Sequence, residues 1–226
     1  SDYRPVEQEY GSSVFPAVLY TEWKEHKLNF IDTPGADDFC GSLFSAFKVA
    51  DVGVMLINAQ NGFEVGTEIQ ARYARAHEKP IIAVINQLDS EKASWENSLE
   101  SLRAASQVTP VIVQYPVNPG PNFDAFIDVL LMKMYKFKGD TGIREEMEIP
   151  AEEMERATEL NRILTEAAAE NDEALMELYF EKGVLTQDEL RSGLKLGLAK
   201  RDVIPVFCAS GKRDIGAKRL MEFIIN

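Results

Sequence analysis

The sequence is poor in the residues that most enzymes use for metal binding or nucleophilic attack. Its only cysteines, Cys40 and Cys208, show no metal-ligand spacing, and its only histidines, His26 and His77, stand apart in polar surroundings. Zinc centres and histidine-driven nucleophilic catalysis therefore have no support. Two unpaired thiols fit a reducing, cytoplasmic setting. No apolar run approaches the roughly 20 residues needed to cross a bilayer, and the polar N-terminus lacks the apolar core of a signal peptide. Positive charge is scarce as well. There are 24 Lys and Arg residues against 37 Asp and Glu, a net charge of −13. General nucleic-acid binding lacks its electrostatic footprint, so any RNA contact has to be local. Also absent is any G-x-x-x-x-G-K-[ST] run, the glycine-rich loop that wraps phosphates.

What is present is ordinary for a soluble globular protein: 226 residues, 45% hydrophobic and 27% charged. The negative charge is concentrated. Residues 145–190 hold fifteen Asp or Glu against Arg156, Arg162 and Lys182, a net of −12 that leaves about −1 for everything else. This block is either a solvated helical face or a docking surface for a basic partner.

Ser1–Gly11 carries no apolar period and reads as a loop. Ser13–Trp23 and Lys27–Asp32 read as strands joined by the Glu25-His26 turn, the spacing of an antiparallel hairpin. Beyond Asp32, Phe39, Leu43, Phe44, Phe47 and Val49 form a helical stripe. The run from Asp51 to Asn58 reads as a strand buried on both faces, and Pro80–Ile85 as another. Thr67–Ala76, capped by Thr67, and Ser94–Ser106, capped by Ser94, are the expected helices between and after them. This alternation predicts a mostly parallel sheet with right-handed crossovers.

From Thr109 the pattern changes. Pro110–Tyr115 reads as a strand, Phe123–Leu130 as a short helix and Leu131–Phe137 as a strand, with a turn at 139–142. Three helices follow, at 151–170, 172–180 and 186–200. In the first of them Met154, Ala157, Leu160, Leu164 and Ala167 form an i, i+3, i+4 stripe. Val203–Ala209 then resumes as a core strand, and Asp214–Ile225 closes as a helix. The expected organisation is a core of residues 1–106 and 201–226, interrupted by an acidic α+β lobe at 107–200.

Three strand ends carry groups suited to chemistry, in the usual place for a ligand in an open α/β sheet. Asp32-Thr33-Pro34-Gly35 puts a carboxylate and a flexible backbone N–H at one of them. The Asp can hold Mg²⁺ through water, and the Gly35 N–H can meet a terminal phosphate. At the second end, Asn86-Gln87-Leu88-Asp89, the Asp89 carboxylate can accept hydrogen bonds from the N1–H and amine of guanine, a donor pair that adenine lacks. Asn86 can tie this loop to its neighbours. At the third, the N–H after Ser210, that of Gly211, can reach the guanine oxygen.

These motifs, in this order, resemble those of the GTPase domain of translational GTPases, elongation factor G in particular. Asp32–Gly35 resembles the family's third G motif and Asn86–Asp89 its fourth, N-K-x-D. Cys208-Ala209-Ser210-Gly211 stands at the fifth, and Glu7–Val14 resembles the switch I run E-Q-E-R-G-I-T-I. The stretch at 107–200 resembles the family's inserted subdomain. The resemblance implies a P-loop NTPase-like (Ras-like) doubly wound sheet with an inserted α+β subdomain. With no phosphate loop in the sequence, the first strand and P-loop are expected to be absent and GTP binding by this chain to be weak. It also implies a cytoplasmic, monomeric GTP- and Mg²⁺-dependent factor acting on the ribosome, with the acidic lobe meeting the stalk protein. Ser13 aligns with the Mg²⁺-ligating threonine, alongside Asp32.

Two departures bear on the chemistry. Gln87 replaces the usual lysine. Ala36 stands where the family carries the histidine that positions the attacking water, a role that a methyl group cannot fill. This implies a factor that binds GTP and hydrolyses it slowly, unless a neighbour such as Asp37 compensates. The alternatives are a GTP-gated binding module that hardly turns over, and a ribosomal-protection or release-factor relative.

Overall fold

Apolar runs bounded by turn residues place the strands, and the i, i+3, i+4 stripes place the helices, in the computed structural model of the chain. It describes residues 2–39 and 41–226. Ser1 and Cys40, the second of which reads as a free thiol in the sequence, lie outside the described residues, as does the Asp37 side chain.

A short helix α1 (Pro5–Tyr10) occupies part of the stretch expected to be a loop. Glu7 causes it: its carboxylate accepts the Arg4 N–H at the helix start and the N–H groups of Val14 and Phe15 beyond its end. Local polar bonding of this kind leaves no apolar period to read. The hairpin β1 (Ala17–Trp23) and β2 (His26–Asp32) pairs antiparallel from Ala17 opposite Asp32 to Trp23 opposite His26. Then come a 3₁₀ turn (Asp37–Phe39), α2 (Gly41–Val49), β3 (Gly53–Asn58), α3 (Val65–Ala76), β4 (Ile81–Asn86) and α4 (Trp95–Ala105). Ser94 caps α4 as expected, accepting the Asn97 N–H. Helix α3 starts two residues before Thr67, with Glu64 at its N-cap position.

The segment expected to be one strand at 110–115 divides in two. β5 (Pro110–Ile112) pairs parallel with the late core strand, and β6 (Gln114–Pro116) pairs antiparallel with β7 (Ala125–Asp128). Val113 joins them, donating to Val206 and accepting from Val129. β7 corrects the expected helix at 123–130. Its four residues are all buried between β6 and β8 (Lys133–Phe137), and a strand apolar on both faces has no period to distinguish it from a short buried helix. A further strand, β9 (Arg144–Met147), pairs with β8 and is hidden in the charged run. The expected helices follow as α5 (Ala151–Ala169), α6 (Glu173–Lys182) and α7 (Gln187–Lys200), then β10 (Ile204–Cys208) and α8 (Ala217–Ile224).

The sheets are β1-β2, the parallel β3-β4-β10-β5, and the antiparallel β6-β7-β8-β9. One hydrophobic cluster runs from Ile57, Ile85 and Phe207 in the parallel sheet to Phe126 and Leu164 in the lobe, so the two share a core. A buried ion pair crosses between them. Arg219 of α8 donates to Asp128 of β7 at 2.6 Å, and Asp128 also accepts from Gln114 and the Leu131 N–H.

β3 departs from expectation. Met55 and Ile57 are buried, whereas Val54 and Leu56 are 36% and 58% exposed. One face of this parallel strand is uncovered. It borders a cleft of about 1150 Å³ between β3 and the hairpin, lined by Leu28, Phe30, Val54, Leu56 and Phe223 among others. Among the described residues, β2 pairs only with β1 and β3 only with β4.

Candidate functional site at the carboxyl ends of the strands

Parallel register brings two of the three candidate loops together. Cys208 lies opposite Ile85, and Asn58 opposite Asn86, so the segments after β3, β4 and β10 leave the sheet on one edge. Leu88 is fully buried and anchors its loop, turning the polar residues beside it outward. Gln87 adopts a left-handed φ of 63°, which reverses the chain before Asp89. Gly216 has φ 93°, and a Cβ there would lie 2.6 Å from the Cys208 carbonyl oxygen, so the β10 loop closes only on glycine.

Side-chain bonds then fix the pair of loops. Asn86 Oδ1 accepts the Gly211 N–H at 2.9 Å, and the Leu88 N–H donates to the Ala209 carbonyl at 3.3 Å. The buried Ser210 hydroxyl donates to Asp89 Oδ1 at 2.6 Å. Asp89 is half-buried and keeps Oδ2 and its remaining lone pairs for a ligand. Asn86 ties the loops together as its chemistry suggested. In doing so it takes up the Gly211 N–H that was expected to face a guanine oxygen. Beside them, burial above all, with the Asp128 charge adding to it, pushes the Cys208 thiol well up and keeps it protonated and inert.

The Asp32 end is built differently. Asp32 is exposed where β2 stops, Pro34 is buried, and Gly35 and Ala36 are exposed. The Ala36 carbonyl accepts the Phe39 N–H at 3.0 Å, which starts the 3₁₀ turn. Asp32 and Thr33 line the cleft. Among the described residues, no hydrogen bond joins this end to the Asp89 loop. Ser13 donates its hydroxyl to Asp2 at 2.7 Å. The Tyr10 ring meets Phe39 edge-on at 5.9 Å, linking α1 to the turn. No group of three or more His, Cys, Asp or Glu among the described residues is arranged to hold a metal ion.

Sequence reasoning missed Gln60, which donates to Gln87 Oε1 at 3.4 Å, and Arg213, whose N–H donates to Ser210 Oγ. Neither sits in a motif. The only available signal was their closeness to strand ends.

Paired polar loops at the carboxyl edge of a parallel α/β sheet stand where open sheets of this class bind ligands, and comparison with known proteins narrows the class. The family described as the elongation factor Tu GTP binding domain matches residues 1–226, and this chain belongs to it. The chain is 34% identical over 225 residues to the "Elongation factor G-like protein" of Thermotoga maritima, covering 99% of this chain and 32% of that one. It also superposes on the crystal structure of a protein from Thermus thermophilus with a TM-score of 0.91 and 30% identity, covering 99% of this chain and 33% of the other. The chain thus spans about a third of the length of these relatives.

Proposed function

We propose that this chain is the guanine-nucleotide-binding part of a ribosome-associated translation factor of the elongation factor G type, one that hydrolyses GTP slowly. The observation that carries this reading is the Asp89 carboxylate, pinned by Ser210 in a loop that Asn86 ties to Gly211. A fixed carboxylate acceptor at that edge suits the paired donors of guanine. The name of the Thermotoga relative supports the elongation factor G type.

The uncovered face of β3 and the unpaired edges of β2 and β3 support the reading that a strand and a phosphate loop of the full sheet are not among these residues. Gly35 would meet the terminal phosphate, with Thr33 and Pro34 shaping the turn and Ala36 following. Gln87 and Leu88 would shape the base loop, with Ser210 and Gly211 alongside. The Mg²⁺ that the family implies suits the hard oxygens of Asp32 and Ser13. Mg²⁺ commonly takes one or two protein ligands and fills the rest of its shell from water and phosphate, so a larger cluster is not required. Ser13 would first have to release Asp2. Once bound, the ion would neutralise phosphate charge. The chain's own part is to present the Asp32 carboxylate at the end of β2.

The lobe at 107–200, whose first strand β5 is shared with the core sheet, would dock the ribosomal stalk protein. Helix α6 buries none of its residues, leaving Glu173, Glu177 and Glu181 open to a basic surface. The factor would work as a cytoplasmic monomer.

Ala36 favours one further reading, a GTP-gated binding module that hardly turns over. Single-turnover GTP hydrolysis on ribosomes, by a protein of the relatives' full length containing this chain, tests the slow-hydrolysis reading. Ala36→His is expected to speed hydrolysis on the order of 10²-fold, the usual worth of a water-orienting group. Equal, fast rates would remove the case for slow hydrolysis.

A further inference from the structure

The inserted lobe grips the base loop through a residue that the function above leaves unused. We propose that Arg213 is a positioning residue which clamps the Asp89 loop to the inserted lobe. The functional meaning of the clamp rests on the nucleotide reading, but its test does not.

Arg213 sits in the turn between β10 and α8. Its Nε donates to Asp140 Oδ1 at 2.6 Å and its Nη1 to the Phe123 carbonyl at 2.7 Å, so the guanidinium spans two separate turns of the lobe. Its backbone N–H donates at 3.3 Å to Ser210 Oγ, the same hydroxyl that donates to Asp89 Oδ1. One residue therefore connects the lobe to the carboxylate through a single intervening hydroxyl. Phe123 is fully buried, which gives the clamp a fixed point.

A second tie runs in parallel. The Gly120 N–H of the lobe donates to the Leu88 carbonyl at 2.7 Å, with Gly120 at φ 116°, a conformation that L side chains rarely adopt. Lys218 of α8 adds a bond to the Gly142 carbonyl, on the same turn as Asp140. The charged, two-pronged contact of Arg213 is the strongest of these by type. A carboxylate held this way has less rotamer freedom to lose on meeting a base, which favours binding. The seating of the lobe and the order of the base loop become one coupled variable.

Amide hydrogen exchange on the 226-residue chain without nucleotide tests the clamp. The reporters are the amides of Leu88, Ser210, Gly211 and Ile215, each hydrogen-bonded within these loops. Arg213→Ala is expected to speed their exchange on the order of tenfold. Asp140→Ala is expected to give a few-fold change because that carboxylate is largely exposed, and Arg213→Lys an intermediate one. The amides of β4 and β10 stay at their original rates. Unchanged loop amides in Arg213→Ala would overturn the proposal, as would the same acceleration throughout β4 and β10, which marks general destabilisation. Because no nucleotide is present, failure to bind GDP counts against the proposed function and leaves this result standing.

Discussion

The two flanks of the parallel sheet use similar residues to opposite effect. On the β4–β10–β5 flank, apolar strands are covered on both faces. The loops that leave them are bonded to one another and to the lobe, and a buried Asp128–Arg219 pair locks lobe to core. On the β3 flank, Val54 and Leu56 look onto the cleft, and among the described residues the hairpin across it pairs its strands only with each other, reaching α8 through the Lys24–Glu222 ion pair at 3.1 Å. Asp89 is accordingly pinned, while Asp32 stands exposed at the edge of a gap. Burial and these loop bonds separate a strand-end carboxylate that is held in place from one that is not.

The contrast is sharpest at the ion pair. Asp128 is fully buried and Arg219 is nearly so. Replacing Arg219 with Met leaves a buried carboxylate without its cation, and equilibrium urea unfolding should show a loss of about 3–5 kcal/mol. Lobe and core should still unfold in one transition, because they share a core. A loss below about 1 kcal/mol, or two separate transitions, would break the distinction between the flanks.

Two leucines compare the flanks directly. Leu164→Ala empties a fully buried site and is expected to cost about 2–5 kcal/mol, whereas Leu56→Ala, at 58% exposure, should cost less than about 1 kcal/mol. Similar losses in urea unfolding would mean that the β3 face is covered in solution.

The smallest effect concerns α1. The Phe15 N–H above all, and then those of Val14 and Arg4, hold the Glu7 carboxyl below its usual value of 4.5 against the opposing effect of burial. A carboxyl lowered in the folded state stabilises fully above the unfolded value, and that stabilisation is lost as pH falls through the folded one. Protection of the Val14 and Phe15 amides, taken against the intrinsic exchange rate at each pH, should therefore fall only below pH 4.5. Protection that persists well below that pH would show that Glu7 is not the anchor.

How much of this was legible in the sequence follows the same division. Helix α5 was readable because its apolar stripe is local, and the start of α7 is marked by a local Thr186–Glu189 capping box. The loop motifs were readable because strand ends and polar residues coincide at Asp32, Asn86 and Ser210. β7 was not, since Ala125–Asp128 is buried on both sides. The uncovered face of β3 was not either, because Val54 and Leu56 are apolar whether or not anything covers them. Arg213 bonds across about 70 to 90 positions of sequence to Asp140 and Phe123, a distance over which no local pattern speaks.

The role proposed for Asp89, reading guanine, is open to a test by base substitution. Xanthine carries a carbonyl where guanine carries its amine, so an Asn amide can donate where the Asp carboxylate accepted. Followed through the backbone NMR signals of residues 86–89 and 209–211 at millimolar nucleotide, the unaltered chain should prefer GDP to xanthosine diphosphate. Asp89→Asn should reverse that preference, a swing on the order of 10²-fold or more. The same preference in both proteins would rule out base reading by Asp89.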